Sequence, residues 1–261
     1  HSRNPVLRPR LARALKAAAQ VFAVSDSLRQ LALELGVDVQ KTEVVGNGVD
    51  SAVFHPVERS AARERLGLPQ RARVLISVGG LVERKGMHRV IDCLPALLES
   101  HPDLHYLIVG GGSPEGDMRP ALDAQVARLG LGGRVHFLGA LPPDELKWPL
   151  SASDVFALST RNEGWANVFL EAMACGLPVV TTDVGGNAEV VCRDELGRIV
   201  PFGDAPALLR ALDDALGHDW DHAAILAYAQ ANQWDRRVAQ LLRAFDRILG
   251  STPIEAGFEP L

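Results

Sequence analysis

Short apolar runs alternate along this chain with segments of helical periodicity, and this alternation constrains the fold more than any other feature. Six apolar runs predict buried strands, at residues 74–78, 104–109, 135–138, 155–158, 178–181 and 197–200. Helical patterns lie between them, near residues 88–99, 117–130, 143–150, 168–175 and 205–217. Strands and helices in this order predict right-handed βαβ units. The predicted fold is therefore α/β, a Rossmann-like parallel sheet with helices on both faces.

The composition is typical of a globular protein in water. Hydrophobic residues make up 47% of the 261 residues and charged residues 23%. The net charge of -5 argues against a nucleic-acid partner, because nucleic-acid-binding domains are usually basic. Three separated cysteines without a Cys-x-x-Cys pair predict reduced thiols, no zinc site and a cytoplasmic location.

Residues 1–20 are basic, and the first acidic residue is Asp26. No apolar run has the length of a membrane span. A basic amphipathic helix is one kind of segment that contacts an anionic membrane surface, here the cytoplasmic face. A solvated helix face is the simpler interpretation.

Glycines follow several of the predicted strands, at Gly79-Gly80, residues 110–112 and Gly139. In open α/β sheets, ligands bind at the carboxyl edge of the strands, near the point where the strand order reverses. We therefore expect these glycines to form one site, together with Glu163 in the loop after a further strand.

Residues 79–86 directly follow a predicted strand and include Arg84 and Lys85. Small residues would let backbone amides approach a phosphate group. The two cations would add charge-assisted hydrogen bonds, each contributing roughly 1.5–3 kcal/mol. A tight turn with solvated basic residues is the alternative that this segment alone leaves open.

Two glutamates, Glu163 and Glu171, flank the start of a predicted helix. The unpaired amides at a helix start suit an anion, and phosphate above all. The carboxylates could accept hydrogen bonds from the vicinal hydroxyls of a ribose or a hexose. The alternative is one capping glutamate and one helix-face glutamate, and their spacing does not decide between the two.

These segments together resemble the retaining GT-B glycosyltransferases of glycosyltransferase family 4. Residues 44–50 are similar to the family's interdomain turn, and residues 79–86 to its phosphate loop. Residues 163–180 are similar to its Glu-x7-Glu signature, which continues into a Glu-Ala-Met-Ala-Cys-Gly helix. The resemblance extends from about residue 21 to residue 249 and implies the C-terminal half of a GT-B fold.

The resemblance also implies roles for single residues. Glu171 matches the glutamate that holds the nucleotide ribose, Glu163 the one that faces the donor sugar, and Lys85 the lysine that binds the diphosphate. Leu138 lies where the family seats its base. Glu163 and Lys85 are thus the implied catalytic residues. The implied donor-binding residues are Gly79, Gly80, Arg84, Lys85, Leu138, Glu163, Gly164, Trp165, Ala166, Asn167, Val168 and Glu171.

The chain departs from the family at Gly80, where arginine is common. Without that guanidinium, donor binding is expected to be weaker unless Arg84 substitutes.

The resemblance and a change in composition divide the chain into four segments. Residues 1–46 are interpreted as the tail of a largely absent N-terminal acceptor domain, and residues 47–233 as the donor-nucleotide-binding domain. Residues 234–250 form a predicted crossover helix, and residues 251–261 a disordered tail. The apolar stripe of this helix is expected to pack on residues 1–46; it comprises Val238, Leu241, Leu242, Phe245, Ile248 and Leu249.

The implied function is that of a retaining hexosyltransferase in polysaccharide biosynthesis. It would pass a sugar from a UDP- or GDP-sugar to the hydroxyl of a carbohydrate or lipid-linked acceptor. No metal or other cofactor is expected, because fixed cations and helix amides would stabilise the diphosphate. A fragment that binds the nucleotide sugar without turnover is the alternative. A Rossmann oxidoreductase is disfavoured, because residues 110–116 do not match Gly-x-Gly-x-x-Gly.

Overall fold

The computed structural model describes residues 4–250, which form two parallel sheets. A small sheet pairs β1 (Val21–Ala23) with β2 (Thr42–Val44). The main sheet of this described part has six strands: β3 (Arg73–Val78), β4 (Leu104–Val109), β5 (Val135–Gly139), β6 (Val155–Leu158), β7 (Val179–Thr182) and β8 (Gly197–Val200). Their order across the sheet is β5-β4-β3-β6-β7-β8, and all neighbours are parallel. The predicted fold class is confirmed.

Eleven α-helices lie within residues 4–250: α1 (Leu7–Ala17), α2 (Asp26–Glu34), α3 (Arg59–Arg65), α4 (Met87–Ser100), α5 (Arg119–Arg128), α6 (Lys147–Ala152), α7 (Asn167–Ala174), α8 (Asn187–Val190), α9 (Ala205–Gly217), α10 (His222–Ala231) and α11 (Trp234–Leu249). Helix α4 packs against α5 and α9, whereas α7 packs against α10. These two groups form the two helical layers of the fold. No helix in the described part is long and apolar enough to cross a membrane.

Several helices begin where the sequence supplies a side-chain cap. Ser25 Oγ accepts a hydrogen bond from the Leu28 amide at 3.3 Å and starts α2. Asp221 accepts one from the Ala224 amide at 3.0 Å and starts α10. Asp221 belongs to an Asp-x-Asp triplet, and its carboxylate serves here as a helix cap.

One stretch differs from the sequence-based expectation. Residues 143–150 have a helical pattern, but the chain forms a 3-10 turn at Pro143–Glu145 and then the short helix α6. Pro143 would be tolerated at the start of a helix, but Pro149 lacks the amide hydrogen that a continuous helix would bond to the Glu145 carbonyl, and its ring would clash with that carbonyl. The regular helix therefore begins only after Glu145.

The core follows from the apolar strands. Every residue of β4 and β6 is buried, as expected for a parallel sheet covered on both faces. Phe156 of β6 packs edge-on against Phe169 of α7, with ring centroids 5.8 Å apart. This contact fixes α7 against the centre of the sheet and therefore positions the loop between β6 and α7.

Helix α11 lies against the small sheet, in part as expected. Phe245 packs edge-on against Phe22 of β1 at 5.8 Å, and Gln240 and Arg247 donate hydrogen bonds to Glu43 of β2. The apolar stripe is only partly covered, because its large side chains keep a substantial exposed fraction. The exposed fractions are 39% for Val238, 40% for Leu242, 45% for Phe245, 42% for Ile248 and 75% for Leu249. The expected tail, residues 251–261, lies outside the described residues.

Candidate functional site

The strand order places a crevice between β3 and β6. From β3 the chain runs outward to β4 and β5, then returns to β6 on the other side of β3. The carboxyl ends of β3 and β6 therefore form the topological switch point, where ligands bind in open α/β sheets. Residues 79–86 follow β3 and residues 159–166 follow β6, so both predicted loops meet at this crevice.

The two loops are locked together by backbone contacts. Arg161 donates its amide to the Arg84 carbonyl at 2.7 Å. Gly86 has a φ of 77°, and a Cβ atom at this position would lie 1.9 Å from the Ser159 carbonyl oxygen. Only glycine fits there, because any side chain would collide with backbone that cannot move aside. The close approach sets the position of Arg84 and Lys85 relative to the β6 loop.

Glu163 is the centre of an ion-pair network at this crevice. Its Oε1 atom accepts hydrogen bonds from Lys85 Nζ at 2.7 Å, Thr160 Oγ1 at 3.0 Å and Arg84 Nη1 at 3.4 Å. The Glu163 side chain is only 9% exposed. The structure thus brings together three residues that the sequence predicted as one site, Arg84, Lys85 and Glu163, and Thr160 completes the arrangement.

Arg84 has a second carboxylate partner, Glu115, in the loop between β4 and α5. Arg84 Nε donates to Glu115 Oε2 at 2.6 Å, and Nη2 donates to Oε1 at 2.9 Å. This bidentate geometry is the favourable one for a guanidinium and a carboxylate. Hydrogen bonding to Glu115 raises the pKa of Arg84, and the same contact lowers the pKa of Glu115.

A glycine turn holds the backbone of Glu163. Gly185 has a φ of 55°, and a Cβ atom there would lie 1.6 Å from the Glu163 carbonyl oxygen. Four residues later, the Glu189 carboxylate accepts hydrogen bonds from the Asp26 amide at 2.8 and 2.9 Å and caps helix α2. The segment after β7 therefore connects the crevice to the part of the chain that carries β1 and β2.

Helix α7 starts at the crevice without a side-chain cap. Ala166 is the residue before it, and Asn167, its first residue, accepts a hydrogen bond from Asn47 Nδ2 at 2.7 Å through its Oδ1 atom. The Trp165 side chain is half-buried, and its Nε1 atom is buried without a hydrogen-bond partner in the described part of the chain. The contact between Asn47 and Asn167 brings the predicted interdomain turn, residues 44–50, next to the predicted donor loop.

Glu171, one turn into α7, has quite different surroundings from Glu163. Burial raises the pKa of its carboxyl group to about 7. Within residues 4–250 its carboxylate makes no hydrogen bond or ion pair. It therefore stands apart from the Glu163 network, as does Leu138, which is half-buried near the end of β5.

A cavity of about 560 Å³ lies beside this crevice and between α4 and α9. Ser159, Thr182 and Val200 line it at the ends of β6, β7 and β8, but none of the predicted donor-binding residues does.

Comparison with known proteins decides the family. The profile of the glycosyl transferases group 1 matches residues 58–233, which is more than half of the chain. The chain belongs to the glycosyl transferases group 1. This membership confirms the resemblance inferred from residues 79–86 and 163–180.

Curated members of the family give the same result. The chain is 35% identical over 253 residues to the D-inositol 3-phosphate glycosyltransferase of Corynebacterium urealyticum, covering 92% of this chain and 59% of that protein. It is 34% identical over 244 residues to the protein of the same name from Acidothermus cellulolyticus, covering 87% and 54%. The chain thus spans little more than half the length of these relatives.

Solved structures of other glycosyltransferases share the fold. Sucrose-phosphate synthase from Thermosynechococcus elongatus superposes with a TM-score of 0.80 at 27% identity, over 96% of this chain and 64% of that one. Anabaena HepE in complex with UDP-glucose superposes with a TM-score of 0.80 at 26% identity, over 94% and 68%. The predicted GT-B type of α/β fold is confirmed.

Three residues that the structure places at this crevice were not predicted as site residues from the sequence: Thr160, Asn47 and Glu115. Thr160 follows a strand by two positions, and Asn47 lies in the recognised turn, so both had a local signal. Glu115 lies in the glycine-rich segment after β4, but its pairing with Arg84 depends on how two loops meet in space. Such a contact cannot be predicted from the spacing of residues along the chain.

Proposed function

We propose that this chain is the donor-binding part of a retaining glycosyltransferase that takes its sugar from a nucleoside diphosphate sugar. The observation that carries the proposal is the pairing of Glu163 with Lys85 and Arg84 at the switch point, beside the uncapped start of α7. Cations and free helix amides at one place favour a diphosphate. The complex of HepE with UDP-glucose supports UDP as the first nucleotide to test.

Each part of the donor would meet a group of suitable chemistry. Lys85, Arg84 and the amides at the start of α7 would hold the diphosphate. Glu171 would accept hydrogen bonds from the ribose hydroxyls, which supply the partners that its carboxylate lacks within the described chain. Glu163 would accept hydrogen bonds from the sugar while Lys85 keeps its position. The base would lie near Leu138.

The transfer would replace one bond at the anomeric carbon by another on the same face. The bond from this carbon to the diphosphate oxygen breaks, and a bond to the acceptor oxygen forms. The acceptor proton passes to the leaving phosphate oxygen. Negative charge develops on the diphosphate, so Lys85 and the α7 amides act mainly by stabilising that charge. This route needs no enzyme nucleophile.

A second candidate is a module that binds the nucleotide sugar without transferring it. Incubation with UDP-glucose labelled in the sugar separates the two. Labelled product with D-inositol 3-phosphate, the acceptor in the relatives' names, or with another carbohydrate or lipid-linked acceptor supports the transferase. Binding without product or hydrolysis supports the module.

The site itself is tested by substituting its lysine. Lys85→Met should weaken UDP binding by about 10- to 150-fold, because a charge-assisted hydrogen bond contributes roughly 1.5–3 kcal/mol. Isothermal titration calorimetry gives the dissociation constants. Lys41→Met removes the same charge from an exposed position and should leave binding unchanged. Equal affinities of both variants, or no binding of UDP, GDP or ADP by the parent chain, would contradict the proposal.

Contact of residues 1–20 with the cytoplasmic face of a membrane stays a prediction. Helix α1 has no buried residue and carries Arg8, Arg10, Arg13 and Lys16. Sedimentation with anionic vesicles would test it.

A further inference from the structure

The charges at the crevice balance before any diphosphate is considered. Arg84 and Lys85 supply two positive charges, and Glu163 and Glu115 supply two negative ones, in one chain of contacts. A diphosphate needs uncompensated positive charge to bind well. When a diphosphate binds, one of the two carboxylates must therefore give up some of its hydrogen bonds to Arg84 or Lys85.

The two carboxylates differ in how firmly they are held. Glu163 is 9% exposed and accepts from three side chains on two loops. Glu115 is 54% exposed, and among residues 4–250 its carboxylate bonds to Arg84 alone. Displacing Glu115 into water costs little, because an exposed ion pair contributes little to stability. Of the two carboxylates, Glu115 is therefore the one that can leave Arg84 at the lower cost.

The loop that carries Glu115 has a fixed base and a small tip. At its base, Met118 donates its amide to the Leu81 carbonyl at 2.7 Å, which ties the loop to residues 79–86. At the tip, Ser113 and Gly116 exchange two backbone hydrogen bonds of 2.9 Å, and Glu115 lies between them. A change of side-chain rotamer at Glu115 releases Arg84 without moving the base of the loop.

We propose that Glu115 is an internal counter-ion that competes with the donor diphosphate for Arg84. The inference rests on the proposed nucleotide-sugar site and adds a residue that sets its affinity. Arg84 is thereby the cation that exchanges partners, whereas Lys85 stays with Glu163. Glu115 weakens diphosphate binding in proportion to the strength of its own pair with Arg84.

The test compares UDP affinities by calorimetry. Glu115→Gln should tighten UDP binding about two- to fivefold at about 50 mM salt, which is the contribution expected of an exposed ion pair. The gain should shrink at about 500 mM salt, because salt screens exposed charges. Asp123→Asn, which removes a carboxylate from the exposed pair with Arg119 on α5, should leave UDP binding unchanged.

A second pair of variants asks whether Glu115 acts through Arg84. In an Arg84→Gln background, the added Glu115→Gln substitution should give no gain. A gain that persists there would overturn the inference, as would unchanged or weaker UDP binding by Glu115→Gln when the parent chain binds UDP. If the parent chain binds no nucleoside diphosphate at all, the proposed function fails and the inference fails with it.

Discussion

Glu163 and Glu171 belong to one sequence motif, but the structure gives them opposite surroundings. Glu163 lies in a loop, and three side chains donate to its Oε1 atom. Glu171 lies in helix α7, where burial raises its pKa to about 7 and no described side chain pairs with it. Three side chains thus hold the Glu163 carboxylate in place, whereas the hydrogen-bonding capacity of the Glu171 carboxylate remains open to water or to a ligand.

The properties of the site therefore have different origins around Glu163 and around Glu171. The Glu163 side is built by loops that interlock through glycine contacts, so its geometry depends on packing. The Glu171 side depends on a single group whose charge is costly to bury and whose partner would be the ribose. Substitutions near Glu163 should therefore lower the stability of the chain and distort the site. Substitutions of Glu171 should change the recognition of the ribose and the pH dependence of stability.

The largest effect is expected on the Glu163 side. Gly185→Ala should lower the free energy of unfolding by about 3 kcal/mol or more, because the new Cβ atom would lie 1.6 Å from the Glu163 carbonyl oxygen. Gly67→Ala is the matched control: Gly67 has a φ of 64°, near the 55° of Gly185, and no atom lies within 4 Å of its Cβ position. Gly67→Ala should lower the free energy of unfolding by only about 1 kcal/mol.

Urea unfolding measures both variants. If both variants lose a similar amount of unfolding free energy, the turn at Gly185 can move aside for a Cβ atom. Packing at this turn would then not fix the Glu163 loop. If Gly185→Ala still folds, its weaker binding of UDP would link the turn to the site.

The strands of this fold were predictable because a parallel sheet buried on both faces requires continuous apolar runs. All six predicted runs lie on main-sheet strands, within one or two residues of the observed bounds, as at β4 (Leu104–Val109) and β6 (Val155–Leu158). Residues 143–150 were less predictable, since prolines there compete with helical periodicity. The partial exposure of the α11 stripe was not predictable, because periodicity identifies an apolar face and does not say what covers it.

The site was predictable to a different extent. Local order along the chain placed Lys85, Arg84 and Glu163 at the same sheet edge, and the structure brings them into contact. The pairing of Arg84 with Glu115 required the three-dimensional meeting of two loops. The unequal environments of Glu163 and Glu171 also lie beyond the sequence, because burial is a property of the packed chain.

Recognition by Glu171 gives the next effect in size. If its carboxylate accepts from the ribose, the chain should bind UDP about tenfold or more tightly than 2′-deoxy-UDP at about pH 8, where the carboxyl is ionised, since a hydrogen bond to a charged group contributes roughly 1.5–3 kcal/mol. Glu171→Gln should reduce this preference to about twofold or less. Glu99→Gln removes one exposed carboxylate from α4 and should keep the preference. A preference that survives in Glu171→Gln would assign the ribose to another residue.

The last expected effect is the pH dependence of stability, and it follows from the raised pKa of Glu171. The ordinary pKa of the group is 4.5 and the folded value is about 7. Below pH 4.5 the carboxyl is protonated in the folded and unfolded chains, so it contributes nothing. Between pH 4.5 and 7 the unfolded chain releases the proton first, and the folded chain loses stability as pH rises. Above pH 7 the penalty is constant.

Glu171→Gln removes this penalty, because glutamine stays neutral at every pH. Relative to the parent chain, the variant should gain about 1–3 kcal/mol in free energy of unfolding at pH 8, and the gain should vanish near pH 4.5. Urea unfolding at three pH values measures it. Any misfit of the amide shifts all three points equally, so only the slope with pH is decisive. A flat difference would show that Glu171 ionises as freely as a carboxyl in water, and the contrast with Glu163 would then lie in hydrogen bonding alone.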